Sequence, residues 1–218
     1  YGLGDMGFNF YWANISAFLL IYYTDVFGIS AAAAGTMMLV TKIVDAITDP
    51  LMGALADRTR SRFGRFRPYL LYGALPLAFT GVLTWTVPDL GEGGKLVWAY
   101  ATFTLMMLAY TVLSIPYSAL SGVITADSQQ RTQLISFRFI AAFAGTMAVN
   151  GLTLDLVRWL GRGDQALGWQ LTLSLYGVIA TAAFVTVALT TRERVAPPPQ
   201  QASAVRQDVA DLLHNRPW

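Results

Sequence analysis

Two carboxylates, Asp45 and Asp49, stand four residues apart inside an apolar run, in Lys42-Ile43-Val44-Asp45-Ala46-Ile47-Thr48-Asp49-Pro50. On a helix this spacing puts both on one face, about 6 Å apart along the axis. A charge at mid-membrane costs roughly 2.5–3.5 kcal/mol on insertion scales, so ionisable residues there are read first as functional. Thr48 adds a hydroxyl oxygen nearby. Pro50 cannot donate to the carbonyl of Ala46 and so frees another oxygen. Hard oxygen ligands with net negative charge suit a small hard cation or a proton. Two close Asp can also share one proton. Lys42, three residues before Asp45, offers the plainer reading: an intrahelical ion pair held for packing.

Other polar residues lie in apolar surroundings. Arg138 sits within a later run, where it can pair with an Asp, bind a polar solute, or snorkel to the interface. Asn9 stands among Phe8, Phe10, Tyr11 and Trp12, and a later run holds Tyr110, Thr111, Ser114 and Pro116. Hydroxyl and amide groups beside aromatic rings are what a sugar needs; hydrogen bonding between helices explains them equally well. A third cluster, Gly53-Ala54-Leu55-Ala56-Asp57-Arg58 followed by Arg62-Phe63-Gly64-Arg65-Phe66-Arg67, closes one apolar run and opens the next. Gly53 would let helices approach. Asp57 with Arg58 or Arg62 would latch helix ends together. The alternative is a topology signal of plain arginines.

These residues need elements to position them. The chain has 218 residues, is 55% hydrophobic and only 13% charged, half the charge usual in a soluble domain. A membrane-spanning helix takes about 20 apolar residues, and six apolar runs are visible: about 8–27, 31–56, 68–88, 95–121, 132–157 and 167–190. Helix is the expected state, because open strands leave backbone groups unsatisfied in lipid. The reading is an all-α membrane protein, with residues 1–191 a six-helix transmembrane bundle in a lipid bilayer. Residues 192–218 form a cytoplasmic segment leading toward a seventh helix, with Pro197-Pro198-Pro199 as a stiff linker. Val205, Val209, Leu212 and Leu213 then mark one face of a short amphipathic helix.

Loop charges set the orientation. Ten arginines lie in the second connection, the fourth connection and the tail (Arg58, Arg60, Arg62, Arg65, Arg67, Arg131, Arg192, Arg194, Arg206, Arg216). The other connections hold three basic residues, Lys95, Arg158 and Arg162. The positive-inside asymmetry puts both termini in the cytoplasm of a multi-pass plasma (inner) membrane protein. Composition also excludes classes. A net charge of +2 gives no basic face for nucleic acid. Zero Cys and a single tail histidine, His214, leave no disulfide, Cys-ligated zinc or catalytic triad, so no enzyme and no cofactor is expected.

The pattern Gly53-x-Leu55-Ala56-Asp57-Arg58 resembles the cytoplasmic-loop motif of the major facilitator superfamily. The whole stretch from Asp45 to Pro68 is similar to the melibiose permease-like glycoside–pentoside–hexuronide:cation symporters. Tyr22-Tyr23-Thr24-Asp25-Val26-Phe27-Gly28, Ile115-Pro116-Tyr117-Ser118-Ala119-Leu120, Arg138-Phe139 and Asn215-Arg216-Pro217 fit the same family. The resemblance implies the N-terminal half of a twelve-helix fold, partnered by a C-terminal six-helix half of the same transporter. It implies a sugar or glycoside moved with Na⁺, Li⁺ or H⁺, and places the Na⁺ candidate site on Asp45 and Asp49, with Thr48 and Thr111 as further oxygen ligands. Asn9 and Ser114 stand where melibiose permease has Asp, and Ser118 where it has Trp, so any solute held there is bound without those charges. Arg138 matches the family's fifth-helix arginine at the sugar site and would suit a hexuronide. Lys42 and Tyr110 complete the candidate solute set, and Gly53, Asp57, Arg58 and Arg62 the candidate gating latch. The function implied is secondary symport by alternating access. A second reading keeps the cation site but moves a non-sugar solute such as a lipid or drug.

Overall fold

The computed structural model describes residues 1–195. The proline linker and the amphipathic stretch expected at 205–213 lie outside the described residues. Six α-helices follow one another: α1 (Leu3–Ile21), α2 (Ala31–Arg58), α3 (Arg67–Thr84), α4 (Glu92–Ile124), α5 (Ser128–Gly161) and α6 (Gln165–Thr190). No strand occurs among the described residues. α1 runs without a break into a π-helical turn, Tyr22–Phe27, which ends at Gly28.

Local chemistry sets the boundaries. Ser30, Asp127 and Asp164 cap α2, α5 and α6, each side chain accepting a first-turn backbone N–H. α1 begins at Leu3 rather than near 8 and includes Asp5 in its first turn, where a carboxylate faces the positive end of the helix dipole. α3 starts with Pro68 in its first turn and stops at Thr84, before Pro88.

Four helices, α2, α4, α5 and α6, are long and apolar enough to cross a membrane. α1 has 19 residues with Asp5, Asn9 and Asn14 among them, and α3 has 18, including Arg67 and two prolines. Those polar residues turn inward: Asn14 is fully buried and donates to Phe10 O at 2.7 Å.

α1 packs on α5 and α6, α3 on α4 and α6, and α2 on α4. The core is aromatic. Trp85 and Trp169 stack at 4.9 Å, with Tyr22 against both. Phe8 touches Tyr110, Tyr117 and Phe184. Gly145 sets the approach of α5 to α1. A Cβ there would meet Met6 O at 3.0 Å and Asn9 Cβ at 3.2 Å. α2 and α5 present bare apolar stripes: Ile43, Ile47, Leu51 and Leu55 on one, Phe139, Phe143 and Met147 on the other. In lipid such faces carry no penalty.

Candidate functional site

Helices α2 and α4 assemble the first polar cluster. Asp45 is 9% exposed, and its Oδ2 lies 3.1 Å from Lys42 Nζ. Its Oδ1 is buried and accepts no hydrogen bond among the described residues. Lys42 Nζ also lies 4.9 Å from the centre of the Trp12 ring on α1, so its charge is held between a carboxylate and an aromatic face. One turn on, Asp49 Oδ1 accepts from Thr111 Oγ1 of α4 at 2.9 Å. Two carboxylates and one ammonium leave a local charge of minus one. That balance fits one monovalent cation or one proton, and the orphaned Asp45 oxygen gives it a ligand.

Thr48 behaves differently from the expectation. Its hydroxyl turns back onto α2, donating to Val44 O at 3.1 Å and to Asp45 O at 3.5 Å, so it satisfies backbone carbonyls and not the Asp carboxylates. Lys42, also a candidate for the solute set, is paired with Asp45, the intrahelical contact that its spacing allows.

The second cluster joins α1, α4 and α5. Arg138 Nε donates to Asp5 Oδ2 at 2.8 Å, and its Nη2 to Asp5 Oδ1 at 3.0 Å. Tyr117 O–H donates to the same Oδ2. Tyr1 and Tyr117 stack at 4.5 Å, and the guanidinium carbon lies 5.4 and 5.0 Å from their ring centres. Asn9 is held at both ends of its amide: Nδ2 donates to Asp5 O at 2.8 Å, and Oδ1 accepts from Thr146 Oγ1 at 3.0 Å. Tyr110 packs edge-on to Phe8 at 5.2 Å and lies 6.3 Å from Trp12. Ser114 is half-buried, one turn along α4 from Tyr110. Arg138 therefore pairs with a carboxylate inside the bundle and does not snorkel.

The third cluster lies at the arginine-rich end. Asp57 Oδ1 pairs with Arg65 Nη2 at 2.8 Å. Arg65 is thus an arginine partner of Asp57, while Arg58 is exposed on the last turn of α2 and Arg62 stacks on Phe63 at 4.7 Å. A Cβ on Gly53 would meet Ile115 at an ordinary 3.9 Å, so close approach does not require that glycine.

The same end carries a connection that sequence reasoning missed. Glu193, just past α6, accepts from the backbone N–H groups of Arg65 (2.8 and 2.9 Å), Phe66 (2.9 Å) and Arg67 (3.4 Å). These are free donors at the start of α3, where a carboxylate is favoured. Arg67 reciprocates, its Nε donating to Ala188 O at 2.6 Å near the end of α6. Arg194 N and Val195 N then bond Val123 O of α4. Gly64 makes room: its φ is +103°, and a Cβ there would meet Glu193 Oε1 at 2.5 Å. Nothing in Thr191-Arg192-Glu193-Arg194 signals this role. Asp5 was also missed, although it precedes Asn9 by four and so shares its helix face.

Charged groups paired within α2 and between α1 and α5, in a bundle with four helices long and apolar enough to cross a bilayer, define a multi-pass membrane protein. Comparison with known proteins agrees. A family model described as MFS/sugar transport protein matches residues 1–218, and the chain belongs to that family. It is 45% identical over its whole length to the inner membrane symporter YicJ of Escherichia coli, covering 47% of that protein. It is 44% identical to the putative glycoside/cation symporter YagG of the same organism, again covering 47%. It is 36% identical to the isoprimeverose transporter of Lactiplantibacillus pentosus, covering 46%. The chain thus spans about half the length of these curated relatives.

Proposed function

We propose that this chain is the amino-terminal half of a secondary symporter that moves a sugar or glycoside with Na⁺, Li⁺ or H⁺ by alternating access. The observation that carries the reading is the α2–α4 cluster. Asp45, Asp49 and Lys42 on α2 carry a net charge of minus one, and Thr111 from α4 bonds Asp49 at 2.9 Å. The names of the relatives, which include a glycoside/cation symporter and an isoprimeverose transporter, support a sugar over a lipid or drug.

In this reading all six helices span the membrane, with the arginine-rich end cytoplasmic, and a C-terminal half supplies the facing wall. Lys42 neutralises Asp45 while the site lacks its cation. Cation binding at Asp45 and Asp49, with Lys42 kept beside Asp45, removes the remaining negative charge. That lowers the cost of bringing solute against Arg138, Asn9, Tyr110 and Ser114. The linkage is reciprocal, so solute tightens cation binding by the same factor. The Asp57–Arg65 and Glu193 contacts hold the cytoplasmic ends of α2, α3, α4 and α6 together as the half moves.

The test is uptake into vesicles holding the full-length transporter, with a Na⁺ gradient, a proton gradient, or neither. A galactoside, a xyloside and a glucuronide form the panel. One solute should follow one gradient, and Asp49→Asn should abolish that coupling. Gradient-coupled uptake that survives Asp49→Asn overturns the site assignment.

A further inference from the structure

The Asp5–Arg138 pair bears on which solutes the site admits, and the inference rests on the transport reading above. Asp5 spends both oxygens. Oδ1 takes Arg138 Nη2, and Oδ2 takes Arg138 Nε together with the Tyr117 hydroxyl. The carboxylate side chain is 15% exposed and the guanidinium 23%. This is a shielded two-point pair, not a surface ion pair screened by water.

A guanidinium has five N–H donors in a fixed fork. Two go to Asp5, so three keep their capacity for a ligand while the charge is already cancelled. The Tyr1 and Tyr117 rings flank the group within 5.4 Å. Fixed donors of zero net charge beside flat apolar rings match a sugar's hydroxyls and C–H face. They mismatch a carboxylate, which would have to displace Asp5 or sit beside its negative charge. Asp5 itself is anchored: its carbonyl accepts from Asn9, and Asn9 is fixed to α5 by Thr146. The pair is therefore held from α1, α4 and α5 at once.

We propose that Asp5 is a specificity residue. It orients Arg138 and cancels its charge, so this end of the site selects uncharged hydroxyl groups and turns away carboxylates. The arginine that would by itself suit a hexuronide is thereby retuned toward neutral glycosides.

The test uses the full-length transporter in proteoliposomes. Cation-coupled uptake of a labelled xyloside, or of a galactoside where that is the one carried, is inhibited with methyl glucoside and with methyl glucuronide. These two differ only in a hydroxymethyl against a carboxylate. The readout is the ratio of their inhibition constants, with folding checked by thermal unfolding. Asp5→Asn should shift the ratio toward the glucuronide by about tenfold, the scale of a shielded charge pair in binding. Arg138→Gln leaves Asp5 negative and should shift the ratio the other way. The double variant should return to within about twofold of wild type, since its charge is again zero. A merely structural role predicts no opposite signs. Should Asp5→Asn fail to fold, Arg138→Gln and the double variant still decide the matter. A ratio that Arg138→Gln leaves unmoved, or moves toward the glucuronide, overturns the proposal while transport stands. Wild-type protein that takes up no sugar under any gradient overturns the transport reading and this inference with it.

Discussion

Thr111 Oγ1 donates to Asp49 Oδ1 at 2.9 Å, a bond between residues 62 positions apart that ties α4 to the acidic face of α2. A hydrogen bond to a charged group contributes about 1.5–3 kcal/mol. Thr111→Val keeps the shape and removes the donor. The expected result is a loss of roughly tenfold in apparent cation affinity, since 1.4 kcal/mol is one decade, with the solute specificity unchanged. The check is the cation dependence of uptake in the full-length transporter.

In the proposed cation site, Lys42 stands in for a cation at Asp45. Lys42→Gln takes the local charge from minus one to minus two and leaves Asp45 without its partner. Thermal stability should fall when no coupling cation is present, by about 1–3 kcal/mol for a buried charged group left unpaired. Added Na⁺ should restore it more than it stabilises wild type. Thermal unfolding with and without Na⁺ measures both effects. Equal responses of variant and wild type would remove Lys42 from the cation site.

Glu193 serves backbone donors at the start of α3. Glu193→Ala leaves these N–H groups without their acceptor, at a cost of about 1–3 kcal/mol. Glu193→Gln keeps an oxygen acceptor and should lose about half as much. The arginines at 60, 62 and 65 make the same loop a reporter. Trypsin should cut between 60 and 66 faster in Glu193→Ala than in wild type, and at an intermediate rate in Glu193→Gln.

Gly145 fixes the separation of α1 and α5. Gly145→Val places methyl groups against Met6 O and Asn9, and overpacking of this kind costs about 1–3 kcal/mol. The Asn9–Thr146 and Asp5–Arg138 bonds lie on either side of that contact along α5 and should weaken together. Stability should fall and solute affinity with it, while cation affinity measured in the absence of solute holds. Direct binding assays for each ligand separate the two.

The helices were legible because long apolar runs mark them, and four of the six are long and apolar enough to cross a membrane. Their pairing was not legible. Apolar side chains meet lipid and protein alike, so hydrophobic periodicity does not tell the inward face of α5 from its outward one. Only the polar residues carry that information. Lys42 and Asp45 are neighbours on one helix, so their pairing could be read from spacing alone. Asp5 and Arg138 are 133 positions apart and meet only once α1 and α5 pack. Asp5 precedes the apolar run that starts near residue 8, and a charge marks the edge of such a run whether it lies in water or within a helix. The pairing of Asp57 with an arginine was legible in kind and not in detail. Five arginines share the second connection, and their spacing alone does not say that Arg65 takes Asp57 while Arg67 caps α6. Glu193 is the clearest omission: its partners are backbone N–H groups, which no side-chain pattern encodes.

The stitching of residues 193–195 also has a mechanical meaning. Glu193 is seated in the α2–α3 connection, and the two residues after it hang on the last turn of α4. The chain leaving α6 is thus moored at two separate places before residue 196. A pull arriving along it is not spent on unwinding the end of α6. It is shared at once among α3, α4 and, through Arg65, α2. The tether behaves as a harness rather than a leash, so that tension is taken up by the bundle as one body.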